Sequence, residues 1–152
     1  MGGIMKYTGS KAVLGLFVST AVAFVAAGAG QAGAEPGPDG SYYGSRAITV
    51  DANGAGVSTA WNYPNWAEAD AAALDDCRAK GGRNCTIIVR FVDGCGAIAE
   101  RDGRYIGGTG PNRVEAERAA LAAFGPPPVN FGSSAPSSAR IVGTTLCTSN
   151  VE

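Results

Sequence analysis

At 152 residues, with 12 Lys+Arg, 13 Asp+Glu and no histidine, the chain carries a formal charge of -1. Its composition, 45% apolar and 16% charged with 23 Gly and 8 Pro, excludes a disordered polyelectrolyte and a coiled coil. The missing histidine excludes Ser-His-Asp and Cys-His catalysis, His-ligated zinc or iron, and histidine-based pH switching.

Residues 1–34 read as an export signal. Lys6 and Lys11 give a positive start, Ala12 to Ala27 is uncharged and apolar, and Ala32-Gly33-Ala34 is a small-x-small cleavage site. The apolar run falls short of the about 20 residues that span a bilayer, so the membrane is met only transiently, through a signal peptide cut after Ala34. Losing Lys6 and Lys11 lowers the basic count from 12 to 10 against 13 acidic groups, which argues against nucleic acid as a partner.

Residues 35–41, rich in Pro and Gly, read as a flexible linker, and residues 42–152 as one folded domain. Arg46 to Val50 alternates toward Asn53-Gly54, and Val57 to Trp61 resumes as the return strand of a hairpin. Asn65, with Glu68 three residues later, opens a helix that Gly81-Gly82 closes near Lys80, and Thr86 to Phe91 is a further strand. The order then repeats. Gly96 to Ala99 and Arg104 to Gly108 flank Asp102-Gly103, Asn112 with Glu115 opens a second helix, and Arg140 to Leu146 is the last strand.

The segment Asn65 to Leu74 aligns with Asn112 to Leu121 through shared Asn, Glu, three Ala and Leu, which marks a duplication of ββαβ units over about 43–93 and 94–150. Gly125 and three prolines end the second helix, and residues 125–139 read as a mobile Pro/Ser loop. The expected fold is α+β: duplicated ββαβ units forming an antiparallel sheet of about six strands, with two helices on one face and two disulfides. Its core would hold Ile48, Val50, Leu74, Ile87, Val89, Phe91, Ile98, Leu121, Phe124, Ile141 and Leu146.

Cys77, Cys85, Cys95 and Cys147 make an even set in an exported domain, and without a Cys-x-x-Cys pair or a histidine they favour disulfides over a metal. Cys77 and Cys85 flank the turn after the first helix. Cys95 opens the first strand of the second unit and Cys147 closes its last, so antiparallel pairing joins Cys95 to Cys147 and leaves Cys77 for Cys85. Chain-entropy arguments give these loops about 2.6 and about 4 kcal/mol.

The run from Ala69 through Cys85-Thr-Ile-Ile-Val-Arg-Phe91, Gly94-Cys-Gly-Ala-Ile-Ala99 and Tyr105-Ile-Gly-Gly-Thr-Gly110 to Cys147 resembles the domain of unknown function 4189 family. That resemblance, from about Tyr43 to Asn150, implies a small exported, disulfide-bonded α+β protein of the kind frequent in mycobacteria and other actinobacteria. It brings no catalytic residues, and the Pro/Ser insertion departs from it.

Candidate chemistry is sparse. Gly107, Gly108, Thr109 and Gly110 precede a helix start, where an anion is favoured, yet no P-loop lysine follows and a strand-to-helix bend accounts for the glycines. Asp75, Asp76, Glu100 and Asp102 are the carboxylates a glycan hydrolase would draw on, but their spacing suits solvated surface charge. Trp61, Tyr63 and Trp66 crowd one segment, and exposed aromatics anchor protein interfaces and stack on sugars. The sequence therefore describes a secreted, extracellular or envelope, non-enzymatic binding domain without cofactor or metal. Its partner is a protein or glycan outside the cytoplasm, host components included, and an envelope glycan hydrolase is the alternative. N-terminal sequencing of the exported protein should begin at Glu35, and recovery of the full-length chain from the membrane fraction would contradict the signal-peptide reading.

Overall fold

In the computed structural model, residues 35–126 and 137–151 are described. Residues 1–34, read as an export signal, and most of the loop read over 125–139 lie outside the described residues. The elements are β1 (Tyr43–Asp51), β2 (Gly54–Tyr63), α1 (Trp66–Ala79), β3 (Thr86–Val92), β4 (Cys95–Arg101), β5 (Arg104–Gly110), α2 (Arg113–Ala122), β6 (Arg140–Ile141) and β7 (Leu146–Cys147).

The α+β class, the antiparallel pairing, the two helices and the two disulfides follow the sequence expectation, while the layering differs from it. The strands form two sheets, ordered β2-β1-β3 and β5-β4-β6, with β7 also on β4. In each sheet the first strand of a unit is central, with its hairpin partner on one side and the strand after the helix on the other. Each unit thereby saturates its own central strand. The helices do not share a face: α1 packs on β1 and β2, α2 on β4 and β5, and β3 lies against β4 and β5 where the sheets meet.

Both helices start where an asparagine caps them. Asn65 and Asn112 are extended, and their side chains accept from the backbone N–H of Glu68 and Glu115 at 2.9 Å. Such caps are worth about 1 kcal/mol each. The hairpins differ in their turns. Asp102 and Gly103 both have positive φ (52° and 76°), as a two-residue mirror turn requires, whereas β1 and β2 turn through Ala52 and Asn53 and Gly54 follows with φ 134°. The last strand is split. Gly143, in the left-handed region (φ 68°), separates β6 from β7, so the single run Arg140 to Leu146 is interrupted.

The core is mostly alanine. Ala47, Ala60, Ala69 and Ala73 are buried in the first unit and Ala97, Ala99, Ala116 and Ala120 in the second. Of the larger side chains expected inside, Ile48, Val89, Phe91 and Ile98 are buried. Leu74, Ile87, Leu121, Phe124, Ile141 and Leu146 are half-buried at its margins, and Val50 is 48% exposed near the tip of the first hairpin. Small residues win the centre because the backbones approach closely. A Cβ at Gly108 would lie 2.1 Å from the Ala120 nitrogen, and one at Gly44 or Gly96 would enter the Phe91 ring.

The segment 35–41, read as a flexible linker, is partly docked. Gly37 is buried against Pro64, its N–H donates to the Ser41 carbonyl, and Asp39 accepts from the Tyr43 hydroxyl and the Ser41 N–H. Gly37 leaves no room for a side chain beside the Pro64 carbonyl, and Gly40 turns the chain back in the left-handed region (φ 81°).

Two disulfides join Cys77 to Cys85, from α1 to the residue before β3, and Cys95 to Cys147, which are directly paired residues of β4 and β7. Gly108→Ala should cost at least about 3 kcal/mol, read as a fall in the urea midpoint, because its methyl meets backbone atoms that cannot rotate away. At Gly56 the nearest atom is a Thr49 methyl at 3.1 Å, so Gly56→Ala should stay within about 1 kcal/mol of the parent protein.

Candidate functional site

The aromatic segment between β2 and α1 is shaped by one residue. Asn62 adopts a left-handed conformation (φ 62°) and is the extra residue of a bulge, since Ala60 pairs with Ser45 and Tyr63 with Tyr43. Its buried side chain accepts from the Ser149 N–H at 2.8 Å, tying the bulge to the end of the second unit. The bulge separates the aromatics it flanks. Tyr63 packs on the alanine cluster under α1, and Trp61 lies beside Arg46 and Thr59 at a different pocket. Trp61, Tyr63 and Trp66 therefore do not form one surface.

What forms instead is a row of Tyr63, Tyr43 and Trp66. Tyr43 pairs across the strands with Tyr63, and its ring stands edge-on to Trp66 at 5.2 Å and 85°. The sequence reading missed Tyr43. Its signal was there, a tyrosine pair at the first position of the fold, but only strand register places it against Trp66. Trp66 is 46% exposed at the first position of α1, held there by the Asn65 cap.

Trp66 borders a pocket of about 310 Å³ whose other walls come from the end of β3, the turn into β4 and the β5–α2 junction, among them Arg90, Val92, Asp93 and Pro111. Both units contribute to it. Asp93 takes the Tyr42 N–H at 2.9 Å and the Asn150 amide at 2.6 Å, and the Tyr42 bond, opposed by desolvation, holds its carboxyl below the usual range. Arg90 grips Asp70 through Nε and Nη2 at 2.6 to 3.0 Å, and Ser45 donates to the same carboxylate. Burial raises the Asp70 pKa, but the Arg90 and Ser45 hydrogen bonds outweigh it and the carboxyl sits lower than normal. The pocket rim thus carries fixed charge beside exposed apolar surface.

The glycine run Gly107-Gly108-Thr109-Gly110 is not a turn. It is the second half of β5, and its glycines face opposite sides for packing: a Cβ at Gly107 would strike Val89 and Ile88, and one at Gly108 or Gly110 would strike the α2 backbone. The expectation of a glycine-rich loop at a helix start gives way to a strand on which α2 rests. The carboxylates are also apart. Asp75 is exposed beside Arg78, Asp76 is buried against Lys80, Glu100 pairs with Arg140 at 2.9 Å, and Asp102 occupies the hairpin turn. Two belong to α1 and two to the β4–β5 hairpin, so they do not flank one cleft. Among the described residues no group of three or more Cys, Asp or Glu side chains could hold a metal ion, and no helix is long and apolar enough to cross a membrane.

Asp70→Asn should lower stability by about 1–2 kcal/mol at pH 7 through the lost charged hydrogen bonds. Because the folded-state pKa is lowered, that stabilisation is present above the unfolded value near pH 4 and lost as pH falls through the folded value. The stability difference between the two proteins should therefore begin to shrink below about pH 4 and close only once pH is below the folded value.

A family model described as Domain of unknown function (DUF4189) matches residues 43–141. The chain is 37% identical over 79 residues to Protein Rv1269c of Mycobacterium tuberculosis, covering 52% of this chain and 60% of that protein. It is 38% identical over 76 residues to Uncharacterized protein Rv1813c of the same organism, covering 50% of this chain and 48% of that protein. The NMR structure of Rv1813c from Mycobacterium tuberculosis is similar at 30% identity and a TM-score of 0.45, over 70% of this chain and 75% of that one. The match spans about 60% of the length of the first of these relatives.

Proposed function

The chain belongs to the DUF4189 family, and on that premise we propose that it is an exported, non-enzymatic binding domain that recognises a protein or glycan partner outside the cytoplasm through the Tyr43–Trp66 surface. Export rests on the N-terminal pattern and on the two disulfides, which persist in oxidising compartments. Recognition rests on Trp66. A large aromatic left 46% exposed, braced edge-on by Tyr43 and set at the lip of a pocket, combines apolar area with little conformational freedom to lose.

The surroundings suit that role. Arg90 and Asp93 at the pocket are fixed by Asp70, Tyr42 and Asn150, so they present charge without having to be ordered on binding. Val92, 40% exposed, extends the apolar area beside them. The disulfide at Cys95 and the Asn62 bond to Ser149 fasten the second unit's ends near the same region.

Trp66→Ala should reduce capture of partner material from envelope and culture fractions at least ten-fold, with a fall in thermal midpoint of about 5 °C or less from the lost Tyr43 edge contact. Such a fall with capture intact would make Trp66 a packing residue and overturn the proposal.

A further inference from the structure

The other aromatic of the segment points to a separate site. Trp61 lines a pocket of about 320 Å³ together with Arg46, Thr59, Asp76, Lys80 and Leu146. The pocket lies at the far end of α1 from Trp66, about 20 Å along the helix at 1.5 Å per residue, and shares no lining residue with the Trp66 pocket. Its volume is at the low end for small-molecule sites and suits a single ring.

Two of its groups are buried ions. Arg46, 1% exposed, donates from Nε to the Thr59 hydroxyl at 3.1 Å and from Nη1 to the Gly96 carbonyl at 2.9 Å. Among the described residues no carboxylate pairs with it. Burial pulls its pKa down to about 10, which leaves it charged at neutral pH. Its Nη2 faces Gly143, a residue of the pocket wall with no side chain to cover it. Asp76, 6% exposed, gives one oxygen to Lys80 Nζ at 2.6 Å, while Oδ1 is buried with no hydrogen-bond partner. Buried acceptors without donors are rare in folded proteins.

The pocket thus carries two cations against one carboxylate, an acceptor lacking a donor, and an aromatic wall. An anionic group would meet Arg46, a hydroxyl would satisfy Asp76, and a ring with an apolar face would lie on Trp61. We infer that this pocket binds a sugar acid, its carboxylate on Arg46, a ring hydroxyl donating to Asp76 Oδ1 and its apolar face against Trp61. Thr59, whose oxygen already accepts from Arg46, keeps its own hydroxyl proton to donate to the same carboxylate.

Titration of the purified protein with sodium D-glucuronate, followed by the indole N–H signals of the two tryptophans, tests this. The expected result is a saturable shift of the Trp61 signal, with D-glucose, which lacks the carboxylate, and acetate, which lacks the hydroxyls, binding at least ten-fold more weakly. Asp76→Asn and Trp61→Ala should each weaken glucuronate at least ten-fold in proteins whose thermal midpoints show them folded. Arg46→Lys should do the same if it folds, and the other two variants decide the matter if it does not. Absence of saturation, equal binding of glucose or acetate, a shift at Trp66 in place of Trp61, or undiminished affinity in Asp76→Asn would each overturn the inference.

Discussion

The close approach of backbones, made by glycine and alanine, is the constraint on which the rest of this structure depends. Phe91 can lie across β1 and β4 only because Gly44 and Gly96 leave room for its ring. On the other side of β5, α2 rests on Gly108 and Gly110 through Ala116 and Ala120, with no space for a methyl group between them. Interiors are packed near crystal density, so such contacts are recovered as dispersion only if every residue along them stays small.

This design has a cost, since alanines bury little apolar area each and the hydrophobic term scales with area. A domain of this size buries a modest fraction of its surface to begin with. The disulfides offset part of that deficit. Cys95–Cys147 closes a loop of 52 residues by sequence separation and ties the first strand of the second unit to its last, while Cys77–Cys85 holds the end of α1 over the entry to β3. The half-buried Leu74, Ile87, Leu121 and Phe124 then close the margins of the two alanine clusters.

Into this close-packed arrangement the chain introduces a buried cation. Arg46 bridges the sheets, reaching from β1 to the carbonyl of Gly96 on β4, and it takes Thr59 of β2 as a second acceptor. An ion removed from water must be compensated by hydrogen bonds or by opposite charge. Here the hydrogen bonds lie within the protein and the opposite charge does not, among the described residues. The exposed Trp66 is the converse case, an apolar group left at the surface. Both residues depart from the rule that sequence and environment agree, and such departures concentrate where proteins bind other molecules.

The sequence by itself determined the elements, because their signals are local. Asn65 with Glu68 and Asn112 with Glu115 fix the helix starts, Asp102-Gly103 fixes a turn, and the repeated order of strand, strand, helix and strand follows from alternating patterns. The cysteine pairing was legible too, since it needs only the antiparallel return of a strand after a helix. Tertiary structure decided the rest. Whether six strands join in one sheet or divide into two depends on how the outer strands of the two units meet, and β3 packs against β4 and β5 without pairing with an edge of their sheet. The glycines of β5 look like a loop until α2 and β3 are seen on either side of them. The candidate sites were half legible. Exposure of Trp66 follows from its place at a helix start, but its pairing with Tyr43, and the burial of Arg46 beside Asp76 and Trp61, depend on register, on the Asn62 bulge and on sheet packing, which bring together residues far apart in the chain.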